Sequence, residues 1–140
     1  TWELSDEEFD QVLSVNINGT ANVCRAFLPS MVERGSGTLI GLSSRAGRKG
    51  LANLAPYCAG KWAIEGLMRA IARELPDGMA SIPMNPCDIN TEMYRSNWPA
   101  NAPSKPSPEE WVAIAGPYIL GLDAQHSGES ATVPLPGYVL

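Results

Sequence analysis

Helical spacing of apolar residues predicts three helices along the chain. A capping box that begins at Ser5 precedes apolar residues recurring up to position 31, which predicts one long helix over residues 6–34. Pro29 lies inside this helix and cannot donate a backbone hydrogen bond, so we expect a bend there. Two further helices are predicted over residues 56–75 and from 108 to about 122.

Short apolar runs over residues 38–42, 79–85 and 131–134 predict three strands between and after these helices. Pro83 weighs against the second strand, because proline is rare inside a sheet. Residues 88–107 lack a clear period and are predicted to form a lid or mobile loop. The alternation of helices and strands predicts an α/β fold with a parallel sheet, whose first strand is covered on both faces.

Composition narrows the class of protein. The 140 residues carry a net charge of −5 with 44% apolar and 18% charged residues, which disfavours nucleic acid and anionic membranes as partners. No apolar run approaches the roughly 18 residues that a membrane span needs. The cysteines Cys24, Cys58 and Cys87 are odd in number and lack metal-ligand spacing, and His126 is the only histidine. We therefore expect reduced thiols, a cytoplasmic location and no metal site.

Tyr57 and Lys61 lie four positions apart on the second predicted helix, so they share one face. An ammonium about 4 Å from a phenol, at an effective dielectric near 20, favours the phenolate by about 4 kcal/mol. That is roughly three pKa units as an upper limit, which would make Tyr57 a usable acid or base. The same spacing also fits a surface tyrosine packed beneath a lysine side chain.

Two polar positions add to this pair. Ser44 ends the first predicted strand, where ligands bind in open parallel sheets, and its hydroxyl could hold a substrate carbonyl oxygen. Ser43 is the competing candidate, and either serine could instead cap a turn. Asn16 falls in the apolar register of the first helix, so its amide needs a hydrogen-bond partner, whether structural or catalytic. Asn18 faces elsewhere and is expected to be exposed.

Four segments together resemble the short-chain dehydrogenase/reductase family in order and spacing over nearly the whole chain. They are Val-Asn-Ile-Asn-Gly at 15–19, Leu-Ser-Ser-Arg-Ala-Gly at 42–47, Tyr-Cys-Ala-Gly-Lys at 57–61 and Asn-Pro-Cys-Asp-Ile-Asn-Thr at 85–91. Within that family, residues 55–67, 85–92 and 108–111 are similar to the NADPH-dependent pterin aldehyde reductases. The resemblance implies a Rossmann-like doubly wound sheet and an enzyme that uses NADP or NAD.

The resemblance also implies a role for each matching residue. Tyr57 would be the catalytic acid/base, Ser44 would orient the substrate carbonyl, and Lys61 would lower the pKa of Tyr57 and hold the nicotinamide ribose. Asn16 would support a proton-relay water. The nicotinamide end of the cofactor would touch Pro86, Cys87, Ile89 and Thr91, together with Tyr57 and Lys61. A small carbonyl or alcohol substrate would contact Met93 and Tyr94, and a homodimer or homotetramer would form through helices 6–34 and 56–75.

Met93 and Tyr94, with Trp98 and Trp111, suggest a flat or apolar substrate, although such aromatic residues can equally serve packing. Two departures from the family pattern matter. The glycine-rich phosphate loop and the Asn-Asn-Ala-Gly segment are absent, so we expect the catalytic part of a larger reductase, with about three strands and one edge unpaired. Cys87 stands where the family usually has glycine, and we expect a negative φ there that tolerates the thiol.

A non-catalytic remnant is the alternative function. The second helix carries a stripe of small residues that permits close helix packing, which would suit a helix-mediated interaction or dimerisation module. The stripe consists of Ala59, Ala63, Gly66 and Ala70.

Overall fold

The structure is a computed structural model that describes residues 1–138. Its strands, β1 (Gly37–Leu42), β2 (Met79–Asn85) and β3 (Ala131–Thr132), form a parallel sheet in the order β1-β2-β3. The predicted α/β class and the positions of the first two strands are confirmed. The last strand is shorter than predicted, although Val133 still donates a backbone hydrogen bond to Asn85.

The first predicted helix is interrupted, but not at Pro29. Helix α1 (Asp6–Leu13) passes through a π-helical segment, Ser14–Asn18, into helix α2 (Gly19–Arg34), which continues through Pro29. The interruption of the predicted single helix lies around Asn16, and π-bulges of this kind are frequent at functional sites. Gly35 ends α2 with a left-handed φ of 68°.

Helices α3 (Ala55–Glu74) and α5 (Pro108–Leu120) cover opposite faces of the sheet. One apolar cluster joins α2 and α3 around Met68, and the other joins the sheet to α5 around Ile82. Every residue of β2 is buried as a result. This is the doubly wound arrangement, and it holds the carboxyl ends of the strands in a fixed relation to α3.

Strand β1 is less covered than the sequence predicts. Its Thr38 and Leu42 side chains are exposed, because β1 is an edge of the sheet within the described residues. The expectation that both faces are covered was wrong for these positions.

Pro83 is accommodated inside β2 because of the direction in which its backbone points. The Met84 carbonyl accepts from Ser43 on the β1 side, whereas the Asn85 carbonyl accepts from Val133 on the β3 side. Pro83 therefore faces the β3 side, like Asn85, and β3 begins to pair only at Met84. Among the described residues, no strand pairs with β2 at the position of the Pro83 nitrogen, so the missing N–H costs no hydrogen bond between strands.

The segment between β2 and α5 is more regular than a mobile loop. It contains helix α4 (Glu92–Asn97), whose N-cap Thr91 accepts a hydrogen bond from the Tyr94 backbone, and a 3-10 turn at Ala102–Ser104. Over residues 1–138, no helix combines the length and the apolar character that crossing a membrane requires.

Candidate active site

The carboxyl ends of β1 and β2 open into a cleft of about 600 Å³. Most of the site residues predicted from the sequence line this cleft: Ser44, Tyr57, Pro86, Cys87, Ile89, Thr91, Met93 and Tyr94. Asn16 and Lys61 are outside its lining and lie on the helices that support it. Trp98 lines the cleft as well, whereas the Trp111 indole donates to the Pro86 carbonyl at 2.8 Å and serves packing.

Ser44 is held by the turn that follows β1. It is the N-cap of a 3-10 turn, Arg45–Gly47, and its Oγ accepts from the Ala46 backbone at 3.1 Å. Ser43, at 2% exposure, is much more buried than Ser44. A Cβ on Gly47 would lie 2.5 Å from the Ser43 Oγ and 2.7 Å from the Lys61 carbonyl oxygen. Only glycine therefore lets this turn pack directly against α3.

Tyr57 and Lys61 share one face of α3, as predicted from their spacing. The Lys61 Nζ lies 5.5 Å from the centre of the Tyr57 ring and donates to the Leu42 carbonyl at 2.9 Å. Burial raises the pKa of Tyr57 and outweighs the Ser44 hydroxyl, which lowers it; burial also lowers the pKa of Lys61. The expected lowering of the Tyr57 pKa was wrong, because the burial of the phenol outweighs the one group that lowers it.

Asn16 joins the π segment to α3. Its Nδ2 donates to the Val12 carbonyl at 2.9 Å, which supplies the partner that a half-buried amide needs. A Cβ on Gly60 would lie only 2.8 Å from the Asn16 Cβ. The two helices therefore touch at this point, one residue before Lys61.

Cys87 adopts a left-handed backbone with a φ of 67°. The expected negative φ was wrong: Asn85 Oδ1 accepts from the Cys87 N–H at 3.0 Å and closes a tight turn that selects the glycine-like conformation. The Cys87 thiol donates to the Val133 carbonyl at 3.2 Å. Burial is the main reason that the pKa of Cys87 is raised to about 11, and Asp88 adds to the effect.

The opposite wall of the cleft is built from residues 88–107. The rings of Tyr94 and Trp98 lie 5.2 Å apart, and Met93 beside them is 65% exposed. Lys105 makes an ion pair with Asp88 at 3.3 Å, with about a quarter of each side chain exposed.

An ion-pair network behind Ser44 and Tyr57 was not predicted from the sequence. The Arg48 guanidinium donates to Glu65 Oε1 at 2.9 Å, to the Thr132 hydroxyl at 2.7 Å and to the Ala131 carbonyl at 2.6 Å. The Ser130 hydroxyl donates to Glu65 Oε2 at 2.5 Å. Arg48 thus ties the turn after β1 to α3 and to β3.

Glu65 is 3% exposed, so its charge depends on these partners. Burial by itself raises the pKa of Glu65, but the Ser130 hydroxyl and the Arg48 guanidinium together hold it below its ordinary value. A signal was present in the sequence, because Glu65 lies between Ile64 and Met68 on the face of α3 that reads as core. The argument that singled out Asn16 applies equally to this carboxylate.

Among residues 1–138, no group of three or more histidine, cysteine, aspartate or glutamate side chains is arranged to hold a metal ion. The Ser44 hydroxyl and the half-buried Tyr57 phenol line the cleft, and the Lys61 ammonium lies one turn from Tyr57 on α3.

Comparison with known proteins identifies similar sequences. Residues 1–102 match the family model described as short chain dehydrogenase. The chain is 47% identical over 132 residues to the NADPH-dependent pterin aldehyde reductase of Arabidopsis thaliana, which covers 94% of this chain and 54% of the relative. It is 34% identical over 98 residues to the L-xylulose reductase of Mesocricetus auratus, with 69% of this chain and 40% of the relative covered. The chain thus spans about half the length of these curated relatives, or less.

Solved structures are similar in fold. The short chain dehydrogenase from Shigella flexneri superposes with a TM-score of 0.85 at 26% identity, over 99% of this chain and 55% of that one. A short chain dehydrogenase from Escherichia coli CFT073, solved as a complex with NADPH, gives a TM-score of 0.83 at 26% identity, over 96% and 57%.

Proposed function

Because the chain belongs to the short-chain dehydrogenase family, we propose that it forms the catalytic part of an oxidoreductase that transfers hydride between NADP or NAD and a carbonyl or alcohol. One observation carries the proposal. Ser44 and Tyr57 line the same cleft at the carboxyl end of β1, with Lys61 one turn from Tyr57 on α3. A hydroxyl that donates to the carbonyl oxygen, a proton source and a cation are groups that favour carbonyl reduction.

The residues present suit the nicotinamide end of such a cofactor. A lysine ammonium has three N–H donors, and the hydrogen bond to Leu42 uses one of them, which leaves donors for the ribose hydroxyls. Thr91 accepts a backbone hydrogen bond at the cleft edge and keeps its own hydroxyl proton for an amide oxygen. When bound, the cofactor supplies the hydride, while the protein supplies position and electrostatics.

Tyr57 would deliver the proton to the substrate oxygen while Ser44 holds that oxygen in place. Burial raises the pKa of Tyr57, so the phenol holds the proton that reduction of a carbonyl consumes. Asn16, fixed against α3 beside Lys61, would support the water that returns a proton to the site. Cys87, Pro86 and Ile89 would pack on the nicotinamide.

The substrate that suits the cleft best is a flat aldehyde of the pterin class, with NADPH as the reductant. Tyr94 and Trp98 give the second wall two aromatic rings, and the Arabidopsis relative is named for this reaction. Met93 would contact the pterin ring of the substrate.

A homodimer or homotetramer would form through the helices at 6–34 and 56–75. Val23, Phe27 and Trp62 on these helices are each half exposed or more, which is unusual for large apolar side chains with no partner. We place the protein in the cytoplasm, in keeping with the free thiols of Cys24, Cys58 and Cys87.

The test is aldehyde-dependent oxidation of NADPH by the full-length gene product, followed as loss of nicotinamide absorbance. Tyr57→Phe removes the proton donor and should lower turnover by at least about 10²-fold with the fold intact. Tyr118→Phe on α5, outside the cleft lining, is the matched control and should leave turnover within about twofold. Turnover of Tyr57→Phe within a few-fold of the parent would contradict the proposal.

A further inference from the structure

Arg45 is a charged side chain in the cleft that nothing described above uses. It follows Ser44 in the 3-10 turn, lines the cleft and is half-buried. Within residues 1–138 its guanidinium makes no hydrogen bond or ion pair, whereas Arg48, three positions further, donates to three acceptors. A half-buried cation that lacks acceptors is costly, so Arg45 is available for acceptors that a ligand brings.

The side chain of Arg45 reaches towards both walls. Burial and the Asp88 carboxylate raise the pKa of Tyr94 on the second wall, and the positive charges of Lys105 and Arg45 oppose this. Arg45 also borders a smaller cavity of about 300 Å³ that Asp88 and Lys105 line as well. Lys105 pairs with Asp88, and the Glu110 carboxylate that lines the same cavity accepts a hydrogen bond from the Ser107 backbone. Among residues 1–138, Arg45 is therefore the charged side chain of this cavity that lacks a hydrogen-bond or ion-pair partner.

We propose that Arg45 is a substrate-recognition residue, which donates two parallel N–H bonds to a pair of neighbouring acceptor atoms beside the reacting carbonyl. The inference rests on the proposed function. A guanidinium is a planar fork of donors that matches two acceptors at once, as it does with the O6 and N7 edge of guanine. Its position next to Ser44 puts the recognised pair next to the carbonyl that Ser44 would hold.

Two kinds of aldehyde present such a pair. In 6-formylpterin the ring carbonyl oxygen and the adjacent ring nitrogen are spaced like O6 and N7 of guanine, and that nitrogen is next to the carbon bearing the aldehyde. In 2-carboxybenzaldehyde the two oxygens of a carboxylate neighbour the aldehyde. Benzaldehyde has the reacting group without the pair, so it isolates the contribution of Arg45.

The experiment measures kcat/KM for these three aldehydes with saturating NADPH, using the full-length gene product and its Arg45→Met and Arg45→Lys variants. Arg45→Met should lower the preference for 6-formylpterin over benzaldehyde by at least about tenfold, which corresponds to about 1.4 kcal/mol, mainly through KM. Arg45→Lys should not restore the preference, because an ammonium lacks the fork. Arg73→Met, an exposed arginine on α3, should leave the preference as it is.

Comparing 6-formylpterin with 2-carboxybenzaldehyde shows which pair of acceptor atoms Arg45 recognises. A loss confined to 6-formylpterin assigns Arg45 to the ring edge, and a loss confined to 2-carboxybenzaldehyde assigns it to an acid group. Equal losses for all three aldehydes, or none, would overturn the proposal, because a positioning role would act on every substrate.

A binding measurement keeps this result separate from the proposed function. The fluorescence anisotropy of 6-methylpterin, which has the ring edge but no aldehyde, should report binding in the presence of NADP, weakened at least about tenfold by Arg45→Met. Binding that needs Arg45 without any aldehyde reduction would retain the ring-edge assignment and overturn the proposed reaction. Aldehyde reduction whose substrate preference is the same with and without Arg45 would retain the proposed reaction and overturn the role of Arg45.

Discussion

The two walls of the cleft are built differently. The catalytic wall, which carries Ser44 and Tyr57, is fixed from behind by the buried Arg48–Glu65 network. The wall formed by residues 88–107 is held by the Asp88–Lys105 pair, in which about a quarter of each side chain is exposed, and by a backbone hydrogen bond from Asn90 to Pro106. Proton transfer needs reacting groups in a fixed geometry, whereas substrate choice tolerates adjustment. Under the proposed function, this difference in burial would separate the part of the cleft that performs chemistry from the part that selects a substrate.

The largest effect is expected where the catalytic wall loses its charge pairing. Arg48→Met leaves Glu65 buried with a weaker set of partners, so the free energy of unfolding in urea should fall by about 3 kcal/mol. The double variant Arg48→Met/Glu65→Leu removes both charges and should recover most of that loss. A single variant as stable as the parent would mean that this network does not fix the wall.

The contact between Asn16 and α3 gives a smaller effect. Gly60→Ala places a methyl group 2.8 Å from the Asn16 Cβ, so we expect a net loss of about 1 kcal/mol in the free energy of unfolding, together with lower turnover. Gly66→Ala is the matched control, because its added Cβ meets nothing within 4 Å beyond its chain neighbours and the backbone of its own helix. That variant should gain about 0.5–1 kcal/mol from helix propensity. Equal effects at both positions would contradict the close contact.

At the junction of the two walls, the left-handed backbone of Cys87 can be isolated by comparing two small residues. Cys87→Gly and Cys87→Ala both remove the thiol, but only glycine adopts a φ of 67° without strain. The glycine variant should be the more stable by about 1 kcal/mol in chemical denaturation. An alanine variant of equal or greater stability would show that the turn is unstrained.

The second wall should respond least in stability. Lys105→Met breaks an ion pair that is more exposed than the Arg48–Glu65 pair, so the free energy of unfolding should change by less than about 1 kcal/mol while KM for the aldehyde changes. A loss as large as that of Arg48→Met would remove the distinction between the walls.

The sequence predicts the elements and most of the cleft lining because periodicity, capping boxes and motif spacing are local. The interruption at Ser14–Asn18 escaped it, since Pro29 was the stronger local signal. The pKa of Tyr57 was mispredicted because spacing reports the lysine but not the burial of both groups. The φ of Cys87 depends on the hydrogen bond that the Asn85 side chain accepts from its N–H. The order of residue types in the sequence does not show that this bond forms.

Glu65 and Arg48 escaped for a different reason. Arg48 lies in a loop and meets Thr132 across 84 positions of sequence, so only the fold brings the two together. The charge of Glu65 on a buried helix face was the part of this network that could be read in advance.

The raised pKa of Cys87 has a consequence for how the protein withstands oxidants. The thiolate is the form that peroxides and alkylating reagents attack. Raising the pKa of Cys87 from 9.0 to about 11 lowers its ionised fraction at pH 7 by about 100-fold. We therefore expect the sulfur atom that Cys87 brings to the cleft lining to react slowly with oxidants.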